Sequence, residues 1–175
     1  MSELHVQKIS AKLLDELLLQ ARLSPRRRVI HRLHRGDWEH SHRMLNALAV
    51  GTYVAPHQHA DRYQSEGFIL LRGRLGVLLF DADGSINRAA SSLLSIADGM
   101  IGLDIPPQTW HTLVALEDSV IYEVKGHPAG GYVQERDKNF AAWAPAEGEA
   151  AAVEYLKSLE AIARSLNSAV RQSEP

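Results

Sequence analysis

From Gly51 to Val124 the chain breaks every few residues at glycine, proline or aspartate, and the stretches between the breaks are short and apolar. That spacing leaves no room for the crossover helices that join parallel strands, so these segments pair antiparallel in a sandwich or barrel. The candidate strands are Thr52 to Ala55, Glu66 to Leu71, Leu75 to Phe80, Ile86 to Ala89, Met100 to Ile105, His111 to Ala115 and Val120 to Val124. Arg72-Gly73-Arg74 and Asp81-Ala82-Asp83-Gly84 are the clearest turns, the second with glycine at the left-handed position of a hairpin. Leu75 to Phe80 is apolar at both parities, the pattern of a strand covered on both faces. Upstream, Met44, Asn46, Leu48 and Val50 share one face of a loosely alternating segment. Asn46 is then an inward amide with two roles open to it, orienting a ligand or satisfying backbone groups, of which we favour the second.

Helical patterns flank this β region. Ser10 is a plausible N-cap, Ile9 and Leu14 a hydrophobic staple, and Leu13, Leu14, Leu17, Leu18 and Ala21 recur at helical spacing until Ser24-Pro25 stops them. A second amphipathic helix is expected from about Glu149, with Val153, Leu156, Leu159, Ile162 and Leu166 on one face, and a frayed end from Ser168. Gly126, Pro128, Gly130 and Gly131 mark an irregular link before it. The chain therefore divides into residues 1–41, a helix and basic connecting segment packed on a barrel; residues 42–126, the barrel; and residues 127–175, the irregular segment and last helix.

The chemistry concentrates in three histidines and one glutamate. His57 and His59, two residues apart on an extended segment, point to one face and can share an ion. Glu66 opens the next apolar run, and His111 begins a later alternating segment. Imidazoles with a carboxylate suit Fe, Mn, Ni, Co, Cu or Zn. His40-x-His42 is a second same-face pair, but no neighbouring cluster completes a site there, so we read both as ordinary polar histidines. Tyr53, Tyr63, Gln64 and Trp110 are near the candidate ligands in sequence and are expected either to line a pocket or to pack.

Arg22, Arg26, Arg27, Arg28, Arg32 and Arg35 make one segment locally basic. Two readings compete: a clamp for a phosphate or carboxylate, and a solvated loop whose arginines pair with acidic residues; we favour the second. With 175 residues, 45% hydrophobic content and a net charge of -2, the chain has the balance of one ordinary domain with no pull toward nucleic acid or membrane. It lacks cysteine, which excludes thiolate metal sites and disulfides and fits the cytoplasm. No secretory leader pattern opens it.

Gly51-x5-His57-x-His59-x6-Glu66-x6-Gly73 resembles the first cupin motif, and Gly99-x6-Pro106-x4-His111 resembles the second. More narrowly, Ser24-Pro25-Arg26-Arg27-Arg28, Leu71-Arg72-Gly73-Arg74-Leu75, Ile105-Pro106-Pro107-x-Thr109-Trp110-His111-Thr112 and Trp143-Ala144-Pro145-Ala146-Glu147-Gly148 resemble the WbuC family of cupin-fold metalloproteins, found in bacterial O-antigen gene clusters. The resemblance implies a mainly β fold, a small double-stranded β-helix or jelly-roll barrel with N- and C-terminal helices. It also implies one divalent transition ion on His57, His59, Glu66 and His111. The forward motif count from His59 falls on Tyr63 or Gln64, whereas the count back from Gly73 falls on Glu66. We take Glu66, because the glycine turn sets where the strand ends and an anionic oxygen binds a divalent ion better than an amide. Gln108 stands where the second motif usually has glycine.

Three functions follow from these readings. The one we favour is a metal-dependent enzyme, of isomerase, epimerase or dioxygenase type, acting on a small polar molecule such as a sugar or sugar nucleotide. The others are a non-catalytic metal-bearing module for carbohydrates or anions, and a cupin with a structural ion that recruits a protein. A homodimer is expected because cupins commonly pair.

Overall fold

The computed structural model describes residues 6–126, 132–133 and 137–166. Its elements run α1 (Ala11–Leu23), β1 (Arg28–Arg32), β2 (Ser41–Leu48), β3 (His57–His59), β4 (Glu66–Arg72), β5 (Arg74–Phe80), β6 (Ser92–Ser95), β7 (Gly102–Ile105), β8 (Trp110–Ala115), β9 (Ser119–Gly126), β10 (Lys138–Phe140) and α2 (Ala151–Ser165). The strands form two five-stranded sheets of order β1-β2-β9-β4-β7 and β10-β3-β8-β5-β6, with every pairing antiparallel.

Alternation along the strands builds three apolar layers. Between the sheets lie Leu48, Phe68, Leu70, Leu75, Val77, Leu79, Leu113 and Ile121. On the outer face of the first sheet, Leu14, Leu17, Leu18 and Ala21 of α1 pack on Leu45, Ala47 and Val120. Outside the second, Leu156, Leu159 and Ala163 of α2 cover Leu78, Phe80 and Val114. The expected two-faced burial of Leu75 to Phe80 is therefore found, since each parity meets a different layer. Gly76 lets α2 come close: a Cβ there would lie 2.7 Å from that of Ala163.

Helix α1 starts as its sequence predicts, with the Ser10 hydroxyl accepting from the Leu13 amide. Gly73 turns β4 into β5 at a φ of +84°, where a side chain would strike the Asp118 carbonyl. Gln108 adopts the left-handed conformation itself, with φ of +56°, so the turn before β8 keeps its shape without glycine.

Several expected strands moved. Thr52 to Ala55 is unpaired, and pairing begins instead at His57. Ile86 makes only one isolated bridge, to Phe80, while the true partner of β5 is β6, later in the chain. The basic segment is not a loop: residues 28–32 form β1, an edge strand on β2. Four of its six arginines, Arg22, Arg26, Arg28 and Arg32, are nonetheless paired with acids, while Arg27 donates to the Val50 carbonyl. Glu147 takes a two-pronged contact from Arg26 at 2.6 and 2.7 Å and another from Arg28 at 2.6 Å, while Asp118 holds Arg22. Most of the irregular link and the end expected to fray, residues 127–131, 134–136 and 167–175, lie outside the described residues.

Candidate metal centre

Strands β3 and β8 place His57 directly opposite His111, and the period of two puts His59 on the same face. Glu66 comes from the facing sheet, at the first residue of β4, on the same side as Phe68. All four are buried, and one ligand atom from each lies within 4.8 Å of the others. The Glu66 carboxylate stands 3.0 Å from His59 Nε2 and 3.1 Å from His111 Nε2.

The other ring nitrogens set the tautomers. His57 Nδ1 donates to the Ala55 carbonyl and His111 Nδ1 to the Thr109 carbonyl, both at 2.9 Å. A carbonyl only accepts, so each Nδ1 carries the proton and each Nε2 offers a lone pair. His59 Nδ1 lies 3.4 Å from Asp137 Oδ2. Backbone or carboxylate acceptors behind imidazoles are the arrangement that orients metal-ligating histidines. Three such nitrogens and a carboxylate around one point are a donor set that fits a divalent transition ion.

Electrostatics agree with that fit. Burial pushes the His57 pKa well below its ordinary value, favouring the neutral ring. Burial alone would raise Glu66, but the imidazoles of His111 and His59 beside it outweigh burial and hold the carboxyl well below the usual range. For His59, burial is outweighed by Asp137 and Glu66, and its pKa rises. Asp137 is likewise held low against burial by His59 and Lys125.

A cavity of about 160 Å³ opens from the tetrad between the sheets, lined by His57, Glu66, His111, Asn46, Glu123 and Lys138 among others. Asn46 faces it as expected, but its amide donates to the Glu123 carboxyl rather than to backbone groups. This corrects the expectation, because Met44, two residues before Asn46, lies opposite Glu123 in the β2–β9 register. Glu123 itself is buried beside Glu66, and both burial and that neighbour push its pKa well up.

Of the residues near the ligands in sequence, only Gln64 is at the centre, where its amide donates to Asp137 at 3.0 Å. Tyr53 instead sits against Tyr155 and donates to the Pro145 carbonyl at 2.7 Å, its hydroxyl pKa pushed up to about 12 by burial. Trp110 neighbours His111 and so takes the opposite face, 6.1 Å from Trp143. Tyr63 is 72% exposed beneath the Arg62 guanidinium. These three do not line the cavity.

The sequence reading missed Glu123, Lys125, Asp137 and Lys138. A signal existed for the first two, which share the inward parity of the core residue Ile121 on β9. None existed for the others, which flank the start of a three-residue strand. His42 is buried, but its neighbours are His34 and Asp37 rather than His40. The His34 and His42 rings stack at 4.3 Å and within 3° of parallel, which runs their in-plane lone pairs side by side instead of toward one ion.

The two facing antiparallel sheets are similar in fold to those of a solved structure. A mutant salicylate 1,2-dioxygenase from Pseudoaminobacter salicylatoxidans superposes with a TM-score of 0.50 at 14% identity, over 67% of this chain and 35% of its own. The likeness is one of fold. A cupin-2 domain from Rhodospirillum rubrum aligns at 18% identity over 80% of this chain and 78% of its own, TM-score 0.46. A cupin-2 domain-containing protein from Halorhodospira halophila aligns at 14% over 78% and 81%, TM-score 0.45. Residues 9–91 match a sequence family described as a domain of unknown function, DUF6016. No curated protein matches the chain in sequence. At these identities the cupin likeness carries architecture and not activity.

Proposed function

We propose that His57, His59, Glu66 and His111 hold one divalent transition ion, and that the protein is a metal-dependent enzyme acting on a small polar molecule in the adjoining cavity. The observation that supports this is the convergence of one ligand atom from each of the four buried residues within 4.8 Å, with carbonyl acceptors behind His57 and His111 and the Nε2 atoms of His59 and His111 beside the Glu66 carboxylate. A bound ion would supply Lewis-acid polarisation of a substrate oxygen or, if redox-active, access to O2 chemistry. The chain's own residues do the rest. Asp137 orients His59, Leu113 and Phe68 keep the inner wall apolar, and Asn46 with Glu123 presents polar atoms on the side fed by β2 and β9.

The four phrases that resemble the WbuC family motivate a sugar-derived substrate and a place in polysaccharide biosynthesis. A cavity of about 160 Å³ suits a compact molecule rather than a whole sugar nucleotide. We further propose a cytoplasmic homodimer, which light scattering on the purified protein tests. No helix among the described residues is long and apolar enough to cross a membrane.

Plasma mass spectrometry on untagged protein purified without chelator tests the central reading. About one equivalent of metal is expected in the parent and none in folded His57→Ala/His111→Ala protein. Gln64→Ala should keep its metal and Glu66→Ala should lose most of it. Metal retained by the double variant, or absent from the parent after reconstitution, overturns the assignment.

A further inference from the structure

Lys138 is the one cavity-lining lysine whose ammonium makes no hydrogen bond or ion pair among the described residues. Its neighbour in the cavity, Lys125, is spent on Asp137 at 2.7 Å. Lys138 pairs with His59 in the β10–β3 register; burial lowers its pKa, and the nearby Glu66 and Glu123 work against that by favouring the ammonium. Elsewhere on the cavity wall, Asn46 donates through Nδ2 to Glu123, which leaves its buried Oδ1 an acceptor without a partner. A buried acceptor left unpaired is costly, so native cavities of this kind present it to water or ligand.

The charge balance points the same way. With Glu123 held toward its neutral form by burial beside Glu66, the carboxylates of Glu66 and Asp137 balance the ammonium groups of Lys125 and Lys138. A divalent ion on the tetrad makes the cavity net positive, and it then favours an anion. Arg28 and Arg32 also reach its wall, but each has an acidic partner, Glu147 and Asp37. The volume, about 160 Å³, is close to that of an engineered protein cavity of about 150 Å³ that binds benzene, which sets a ligand of about six to eight non-hydrogen atoms.

We propose that the ligand is a compact hydroxy acid, its carboxylate set against the Lys138 ammonium and its hydroxyl donating to Asn46 Oδ1. This rests on the metal reading above and deepens it by naming the substrate class. Lys138 supplies the preference for an anion and Asn46 the preference for a hydroxyl. Neither residue belongs to the metal tetrad, so both can be changed with the ion in place.

Calorimetric titration of metal-loaded protein with lactate, propionate, lactamide and inorganic phosphate tests the inference, with metal content measured on every sample. Lactate should bind best. Lys138→Met should weaken lactate about 10- to 100-fold, the loss of one charge-assisted hydrogen bond, and erase its advantage over neutral lactamide. Asn46→Leu should erase the advantage of lactate over propionate. Lactamide bound as well as lactate by the parent, or unchanged lactate affinity in metal-loaded Lys138→Met, overturns the proposal while leaving the metal reading intact. Phosphate bound in preference to lactate would replace the carboxylate by another oxyanion and also overturn it. A parent that takes no metal fails at the earlier step and takes this inference with it.

Discussion

Asp137 offers the sharpest test of how the centre is held together. Its Oδ2 receives the Lys125 ammonium at 2.7 Å and lies 3.4 Å from His59, while its Oδ1 accepts from Gln64 at 3.0 Å. The side chains of Lys125 and Asp137 are 6% and 3% exposed, so neither charge can turn to water without opening the fold. Removing one member of such a buried pair costs about 3–5 kcal/mol, because it strands the other charge. Glu123 remains as a partial electrostatic partner for Lys125, which places Asp137→Ala at the lower end, about 3 kcal/mol. Adding Lys125→Met removes the stranded ammonium, so the double variant should recover about 2 kcal/mol of that loss. Urea unfolding of the chelator-treated protein, followed by tryptophan fluorescence and circular dichroism, measures both. An Asp137→Ala variant within about 1 kcal/mol of the parent, or strictly additive losses in the double variant, would refute the claim that this pair is buried and coupled.

Other consequences can be checked with the same protein. Asp137→Asn keeps the shape but weakens the acceptor behind His59, so metal affinity should fall about 10- to 100-fold in a competitive chelator titration. Gly76→Ala should lower stability by about 1–3 kcal/mol in denaturant unfolding, because its methyl would meet Ala163 at 2.7 Å and force α2 outward. Leu159, 1% exposed under α2, should cost about 2–5 kcal/mol as Leu159→Ala in the same assay. The Glu147 carboxyl is held low, first by its hydrogen bond from Arg26 and, against burial, by Arg28. A depressed folded pKa stabilises above the unfolded value, near 4.5, and the contribution disappears as pH falls through the folded one. Glu147→Gln should therefore lower the melting temperature at pH 6 and differ less from the parent at about pH 3.5.

The resemblance phrases acquire physical meaning in this frame. Ser24 to Arg28 and Trp143 to Gly148 are far apart in sequence, yet Glu147 receives both Arg26 and Arg28, joining the entry to β1 with the approach to α2. Trp143 lies tilted against Phe80, ring centroids 4.8 Å apart, and over Gly84, where a side chain would lie 2.7 Å from the indole. The second phrase, Leu71 to Leu75, contains the Gly73 turn, where any side chain would strike the Asp118 carbonyl.

The antiparallel class, the two helices and the His57–His59 pair were legible in the chain itself, because each rests on a local period, whereas Glu66 and His111 came from the spacing of the motifs they resemble. Two residues per repeat put His57 and His59 together, and the recurrence at three and four placed Leu14, Leu17, Leu18 and Ala21 on one stripe. Short unpaired segments misled the same reasoning: Thr52 to Ala55 has strand composition but no partner, and β10 has a partner, β3, but no composition to announce it. The tertiary structure alone decided what surrounds the centre. Lys125, Asp137, Lys138, Asn46 and Glu123 meet because two sheets face each other and β10 pairs with β3, a closure made by contacts between distant residues. Sequence period specifies which way a side chain points; only the packing of the sheets specifies which charge it finds there.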